Sequence, residues 1–439
     1  MRLGIVACVL AIGAPLRADG LGADDLKNKQ DGGYLTGLPL ANYSTDTGYG
    51  YGGRVYYYYD GDRDDPRFAH TPYLYRVFLQ GFWSTRGLQF HWLDFDAPKV
   101  FDSPYRLRSQ LIYERNINQN YFGIGDRSLK PLTFPSAPGG KTYSAFDAYT
   151  NDLDQIDGNG QTWSHYNELD LIRPIFIGSI ERLLYHDRIR VLGGVGFSYG
   201  EINDYTGKMV DAATGTAPEG PTRLHTECEE NVVVGCGGGR DNFVRLGISY
   251  DTRDFEPDPK TGVFLDAALD AGTVALGSQY NYARTMAAAR GYYSPDPDDV
   301  KLVLAARGVF EVQTAGTPFF SMDTFPFTED PRTGLGGQRT MRGYRQDRFV
   351  GPVYTLLNGE ARWTTGHIHL WHQNFGLILV PFVDFGRPYD SVGDLSVHDW
   401  KLSYGGAVRI SWNLATIITV DYGRSSEDTG LYVNFNHMF

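Results

Sequence analysis

An arginine in a flexible stretch and carboxylates at fixed strand positions can do one kind of chemistry together, which is charge pairing away from water. Met341-Arg342-Gly343-Tyr344 lies in a Gly-rich run, and Phe382-Val383-Asp384-Phe385-Gly386 follows on an alternating, strand-like segment. A guanidinium drawn out of water needs a fixed bidentate acceptor, and a strand carboxylate can be one. Along 375–386, Phe375, Leu377, Leu379, Val383 and Phe385 share a parity that turns Asp384 to the opposite face. Along 353–363, Val353, Thr355, Leu357, Gly359, Ala361 and Trp363 share one face and leave Tyr354, Asn358, Glu360 and Arg362 on the other. Arg342 is therefore expected to pair with Asp384 and Glu360, a contact that costs several kcal/mol to break from one side. The competing reading leaves both acids merely wetted in a polar interior. Pro381 removes a ladder donor in mid-strand and predicts a bulge there.

Other chemistry is poorly supplied. There is no Gly-x-Ser-x-Gly elbow and no His-Glu-x-x-His pair, and Gly235 to Gly239 lacks the Lys-Ser/Thr of a phosphate loop, so no catalytic residue, cofactor or metal is nominated. Asp152, Asp154 and Asp157 before Gly158-Asn159-Gly160 are wrongly spaced for an EF-hand and reach Trp163 at position twelve, which favours a solvated acidic loop. His367, His369 and His372 cluster near a predicted turn with no carboxylate or cysteine beside them. Cys228 and Cys236 are close in sequence, and an exported chain would oxidise them to a disulfide.

The elements that must position Arg342, Asp384 and Glu360 are strands. From Lys401 to Trp412, Leu402, Tyr404, Gly406, Val408, Ile410 and Trp412 oppose Lys401, Ser403, Gly405, Ala407, Arg409 and Ser411. Val244, Leu246, Ile248 and Tyr250 oppose Arg245, Ser249, Asp251 and Arg253 in the same way. Strict alternation of this kind belongs to strands with lipid on one side and water on the other. Sixteen such segments are predicted near 48–59, 72–85, 87–97, 104–116, 119–127, 163–182, 187–201, 241–253, 262–273, 280–293, 300–312, 352–364, 374–387, 399–412, 415–424 and 430–439. An even count returns both ends to the periplasm. Thr85-Arg86-Gly87 and Asn413-Leu414 are then periplasmic turns, and 128–162, 202–240 and 313–351 are extracellular loops. The fold class is an all-β, 16-stranded antiparallel transmembrane barrel.

Composition agrees. Gly 53, Tyr 30, Phe 25 and 42% hydrophobic residues suit two-faced strands. Past Ile12 no apolar run approaches the roughly eighteen residues of a membrane helix. Residues 1–18 read as a secretory signal, with Arg2, an apolar core from Leu3 to Ile12 and cleavage after Ala18; too little chain precedes Cys8 for a lipoprotein signal. The net charge of -12 falls to -14 once Arg2 and Arg17 leave, which argues against nucleic acid as a partner. Residues 19–37 read as a short charged periplasmic tail and 38–439 as the barrel. Phe435 and the final Phe439, in an alternating terminal run interrupted by His437, resemble the aromatic sorting signal of outer-membrane proteins.

Four motifs in order carry a family resemblance. Tyr250-Asp251-Thr252-Arg253-Asp254 with Pro259, Thr261-Gly262 and Leu265 resembles the strand-turn-strand signature of the bacterial surface antigen superfamily, the group of BamA, TamA and FhaC. Arg342-Gly343-Tyr344 resembles its inward-folded sixth extracellular loop, and Phe382 to Gly386 with Asp384 the barrel-wall partner. Leu38-Pro39 to Tyr43, with Thr47-Gly48, Gly50, Gly52 and Gly53, resembles the first strand. The resemblance implies a barrel of the bacterial outer membrane that contacts lipid and handles unfolded outer-membrane proteins or other translocated substrates. Asp19 to Thr36 is too short for the periplasmic POTRA domains of those relatives, so the chain resembles members without them. The alternative is a passive pore or structural barrel that keeps the loop for stability.

Overall fold

Residues that alternate along a strand can bury one face and expose the other, and here they close a cylinder. The computed structural model describes residues 31–439 apart from 66–67, 69–72, 136–139, 186, 257, 297–299, 330–331, 371–372, 413–415 and 436. The predicted signal, the start of the tail and the turn at 413–414 lie outside the described residues, as do His372 and the side chains of His367 and His369.

Sixteen antiparallel strands form a closed barrel. They are β1 (Gly33–Ser44), β2 (Gly48–Tyr59), β3 (Tyr75–Ser84), β4 (Leu88–Ala97), β5 (Tyr105–Asn120), β6 (Glu168–Leu184), β7 (Ile189–Asn203) and β8 (Gly239–Asp251). The second half comprises β9 (Gly262–Gly272), β10 (Tyr282–Tyr293), β11 (Leu302–Gln313), β12 (Val353–Leu370), β13 (Gln373–Tyr389), β14 (Lys401–Trp412), β15 (Thr416–Arg424) and β16 (Thr429–Phe435). Connections 121–167, 204–238 and 314–352 leave one end, the loop rim, while β1 starts and β16 ends at the opposite, terminal rim. They carry short helices α1 (Phe146–Leu153), α2 (Arg223–Glu229) and α3 (Phe319–Met322). Among the described residues no helix is long and apolar enough to cross a membrane.

Outward positions such as Leu246 and Trp363 are more than half exposed, whereas inward Arg245 and Asp270 are buried and lie 2.6 Å apart. The interior is densely paired, with Arg284 against Glu311 at 3.0 Å and Arg106 against Asp96 at 2.7 Å.

Sixteen is reached by a different route from the one the alternation suggests. Residues 33–44, assigned partly to the tail and absent from the strands that alternation predicts, form β1 where the family resemblance puts a first strand from Leu38 to Tyr43, and β1 pairs along its length with β2. The predicted strands 104–116 and 119–127 are instead one strand, β5, whose register to β6 shifts between Asn116 and Gln119. That irregularity broke the alternation and read as a turn. Inserting β1 also moves the Thr85–Gly87 turn to the loop rim, where Arg86 donates to the Thr45 carbonyl at 2.7 Å, rather than to the periplasmic end. Pro381 causes no register shift: the β12 partners of Pro381 and Val380 are missing while the register is kept on either side, and the shift falls at Thr364/Gly366.

Candidate functional site

Connection 314–352 supplies the arginine, and the packing of its backbone explains the neighbouring glycines. Gly343 has φ 98°, and a Cβ there would meet Arg424 N at 2.7 Å; a Cβ on Gly423 would meet the Arg342 carbonyl carbon at 2.5 Å. The connection can approach β15 this closely only because both positions lack side chains. On the wall, a Cβ at Gly386 would meet Met341 Sδ at 2.7 Å.

The structure brings Arg342, Asp384 and Glu360 together. Arg342 donates from Nε to Asp384 Oδ2 and from Nη2 to Asp384 Oδ1, both at 3.0 Å, and its backbone N–H adds a bond to Oδ2 at 3.1 Å. Its Nη1 donates to Glu360 Oε1 at 2.8 Å. The guanidinium lies over the Phe382 ring at 3.3 Å from the centroid. Asn358 Nδ2 donates to Asp384 Oδ1 at 2.8 Å and to the Thr340 carbonyl at 2.6 Å. All three charged side chains are completely removed from solvent.

Sequence reasoning missed how crowded Glu360 is. Arg409 donates to it from Nη2 at 2.7 Å and Nη1 at 2.9 Å, and Arg362 from Nε at 3.0 Å. Asp421 lies 3.9 Å from Arg342 and 3.8 Å from Arg409. Three cations thus face three anions, a neutral balance that buried charge requires. The alternation of β14 places Arg409 inward, so parity held the signal for this partner.

The family-type motif reaches the same connection from the terminal rim. Arg253 holds Asp251 through Nε at 2.9 Å and Nη2 at 2.7 Å, and donates to Glu329 at 2.9 Å. Asp254 accepts from Lys260 N at 2.9 Å, and Gly262 has φ 105° with a Cβ blocked by the Thr252 carbonyl at 2.3 Å. At the loop rim Arg348 donates to Glu427 at 2.5 Å, Tyr344 Oη to the Leu402 carbonyl at 3.3 Å, and Gln346 N to Asp46 at 2.9 Å. Cys228 and Cys236 are disulfide-bonded and pack against Leu224, Val233 and Phe319. Asp157 accepts the backbone N–H groups of Asn159 and Gln161 at 2.8 and 3.1 Å, so it shapes its own turn.

The terminal aromatic corrects an expectation. β16 ends at Phe435, and Phe439 does not stand in a strand: it packs with Met438 against the inward residues Tyr292, Val303 and Ala305. Arg362 donates to the Phe439 carbonyl at 2.7 Å. His437 Nδ1 lies 2.6 Å from Arg409 Nη1 and Nε2 lies 2.8 Å from Asp258 Oδ1. A guanidinium can only donate, so Nδ1 accepts and the neutral imidazole donates from Nε2. Burial and the Arg362 charge hold the His437 pKa down to about 3.

Beside this geometry stand the comparisons. A model of the Omp85 superfamily domain matches residues 91–436, and a domain of unknown function, DUF5982, matches 17–74. The chain belongs to the Omp85 superfamily, and its place is the bacterial outer membrane. Among solved structures it is similar to BamA from Haemophilus ducreyi lacking POTRA domains 1-3, with TM-score 0.55, 11% identity, and 93% of this chain and 70% of that chain covered. It is also similar to CdiB from Escherichia coli, with TM-score 0.54, 9% identity, and 92% and 62% covered. The chain therefore spans less than two thirds of that CdiB chain. No curated protein sequence matches.

Proposed function

We propose that the barrel handles other polypeptides at the outer membrane, inserting or translocating them, with connection 314–352 as an inward-folded sixth extracellular loop latched by Arg342. The observation that carries this reading is the seam. Among the described residues, β1 and β16 pair through Tyr43↔Val433 and Ser44↔Tyr432, supplemented by bonds between Thr45 and Leu431 at 2.8 and 3.2 Å. Among the described residues, the edge of β1 from Gly33 to Asn42 has no register partner on β16. Unpaired strand edges add strands of other chains, because their N–H and C=O groups await partners. A latched loop keeps the interior filled while the edge stays available.

A passive pore would need an open path, and the inner cavity lined in part by Arg173, Asp241 and Arg284 together with Trp92, Ile175 and Phe243 has a volume of about 110 Å³, which is small for a channel. The test reconstitutes the protein in liposomes and measures single-channel conductance and the folding rate of a second barrel protein. Faster folding with low conductance supports polypeptide handling. Large, steady conductance without acceleration overturns it.

A further inference from the structure

Buried charge is balanced around Arg342 and unbalanced elsewhere in the same lumen. The inner cavity enclosed by β4 to β10 and connection 314–352 is lined by three guanidiniums, Arg173, Arg245 and Arg284. Each is already committed. Arg245 grips Asp270 through Nε at 2.7 Å and Nη2 at 2.6 Å, Arg173 holds Glu114 and Asp323 at 2.9 Å each, and Arg284 holds Glu311 at 3.0 Å. Asp241 and Asp347 bring two further carboxylates, and among the described residues they are held by neutral groups: Ser321 Oγ donates to Asp241 at 2.5 Å, and Gln119 Nε2 to Asp347 at 2.9 Å. Glu114, Asp241, Asp270, Glu311, Asp323 and Asp347 thus surround three cations.

The excess is visible in single atoms. Among the described residues, Asp241 Oδ1, Asp347 Oδ1 and Glu311 Oε2 are buried without a hydrogen bond. Asp241 is only 2% exposed and lines the cavity itself, whereas Asp347 and Glu311 stand behind the lining residues Gln119 and Arg284. Buried carboxylate oxygens of this kind are costly until a cationic donor meets them. Much of the remaining lining is apolar. Trp92, Ile112, Ile175, Ile177 and Phe243 face the cavity from inward positions where a barrel usually shows polar side chains.

We infer that this cavity is a binding site for a linear aliphatic diamine, whose two ammonium groups answer the excess carboxylates while its methylenes lie against Trp92, Ile175 and Phe243. Each ammonium carries three donors and no acceptor, which is the complement of an orphan carboxylate oxygen. A compact metal ion does not meet the same demand, because among the described residues no three metal-ligating side chains converge. Size agrees as well: an apolar cavity of about 150 Å³ holds benzene, so a space of about 110 Å³ suits a chain of about four or five methylenes. Ser321, Asp323, Thr324 and Gln346 in the lining belong to connection 314–352, so the bound diamine ties that connection to β4–β10. The inference is independent of the polypeptide-handling reading.

The test is calorimetric titration of the full chain in phosphatidylcholine nanodiscs with cadaverine near neutral pH. One saturable site is expected, with n-pentylamine binding at least about tenfold more weakly and n-pentanol not at all. Asp241→Asn and Asp347→Asn should each weaken cadaverine at least about tenfold, the loss expected for one charge-assisted hydrogen bond. Asp211→Asn, at an exposed position, should change nothing. If the lumenal variants do not fold, Ile175→Phe keeps every charge, narrows the cavity and should abolish binding. On unaltered protein, cadaverine should raise hydrogen-exchange protection of residues 319–325 and 344–348 and leave 146–153 unchanged. Absence of a saturable site, equal affinity for cadaverine and n-pentylamine, competition by magnesium at equal concentration, or binding without that protection would overturn the site.

Discussion

The wall around β12 and β13 and the seam between β1 and β16 are built to opposite specifications. In the wall, register pairs run from Val353↔Tyr389 to Leu370↔Gln373, and every charge of the Arg342 cluster is bonded and dry. At the seam, two register pairs and a threonine hydroxyl close the cylinder, and the neighbouring loop contacts are partly exposed. One connection touches both: Arg342 bonds Asp384 and Glu360 in the wall, and three residues later Arg345 bonds the Thr45 carbonyl at 3.0 Å and Asp428 at 2.7 Å beside the seam. The difference teaches that the barrel's strongest electrostatics stand within one strand of the place where it is least closed, since Asp421 is the register partner of Tyr432 and Gly343 N donates to the Tyr432 hydroxyl at 3.3 Å. A rigid wall can hold the loop while the seam stays labile.

The comparison can be broken most directly at the wall. Arg342→Ala strands Asp384 and deprives Glu360 of one of its cations, and thermal unfolding followed by circular dichroism should show a loss of about 3–5 kcal/mol. Conductance should also rise as the loop loosens. A loss equal to that of Arg345→Ala would end the idea of an anchored wall.

A site belonging to neither region offers a control. Glu219, in the connection after β7, accepts from His165 N at 3.1 Å and Ser164 Oγ at 3.3 Å, and burial pushes its pKa up to about 7. A carboxyl raised in the fold binds its proton more tightly there than in the unfolded chain, so stability is lost as pH climbs from its ordinary value toward 7. Hydrogen exchange should show protection of residues 162–168 and 205–222 falling by about tenfold between pH 5 and pH 8, with protection of β12 and β13 unchanged.

Smaller effects sharpen the seam. Arg345→Ala should cost only about 1 kcal/mol, because its contacts are partly solvated, and it should raise exchange in Tyr43 to Thr45. Thr45→Val removes the hydroxyl that accepts from Leu431 N and should cost about 0.5–1.5 kcal/mol. Its readout is a higher rate of cysteine cross-linking to added strands at the β1 edge, because the cost falls on local opening of the seam rather than on global unfolding. If the cross-linking rate stays flat, the hydroxyl does not hold the seam.

Much of this was legible in the residues. Alternation turned Asp384, Glu360 and Arg362 inward, because lipid on one side forces a period of two, and the same rule marks Arg409. What alternation could not read was β1. There the inward residues Leu38 and Leu40 are apolar and pack with Phe78, Phe82 and Trp92, while Gly33, Gly37 and Pro39 face outward, so the usual contrast between faces is reversed or lost. Pro39 is tolerated because the strand's other edge has no ladder beside it. The seat of Phe439 was equally hidden. A terminal aromatic in an alternating run reads as one more lipid-facing residue, and only the crowd of inward arginines from β11, β12 and β14 reveals where it goes.

The order in which these parts occur along the chain has a consequence for biogenesis. Arg342 precedes in sequence every carboxylate that neutralises it, since Glu360, Asp384 and Asp421 arrive on β12, β13 and β15. Until those later strands are in place the guanidinium has no dry refuge and must stay hydrated. Seating of the loop is therefore a late event that reports completion of the sheet, and a nascent barrel truncated before β15 would be left with an unfilled core.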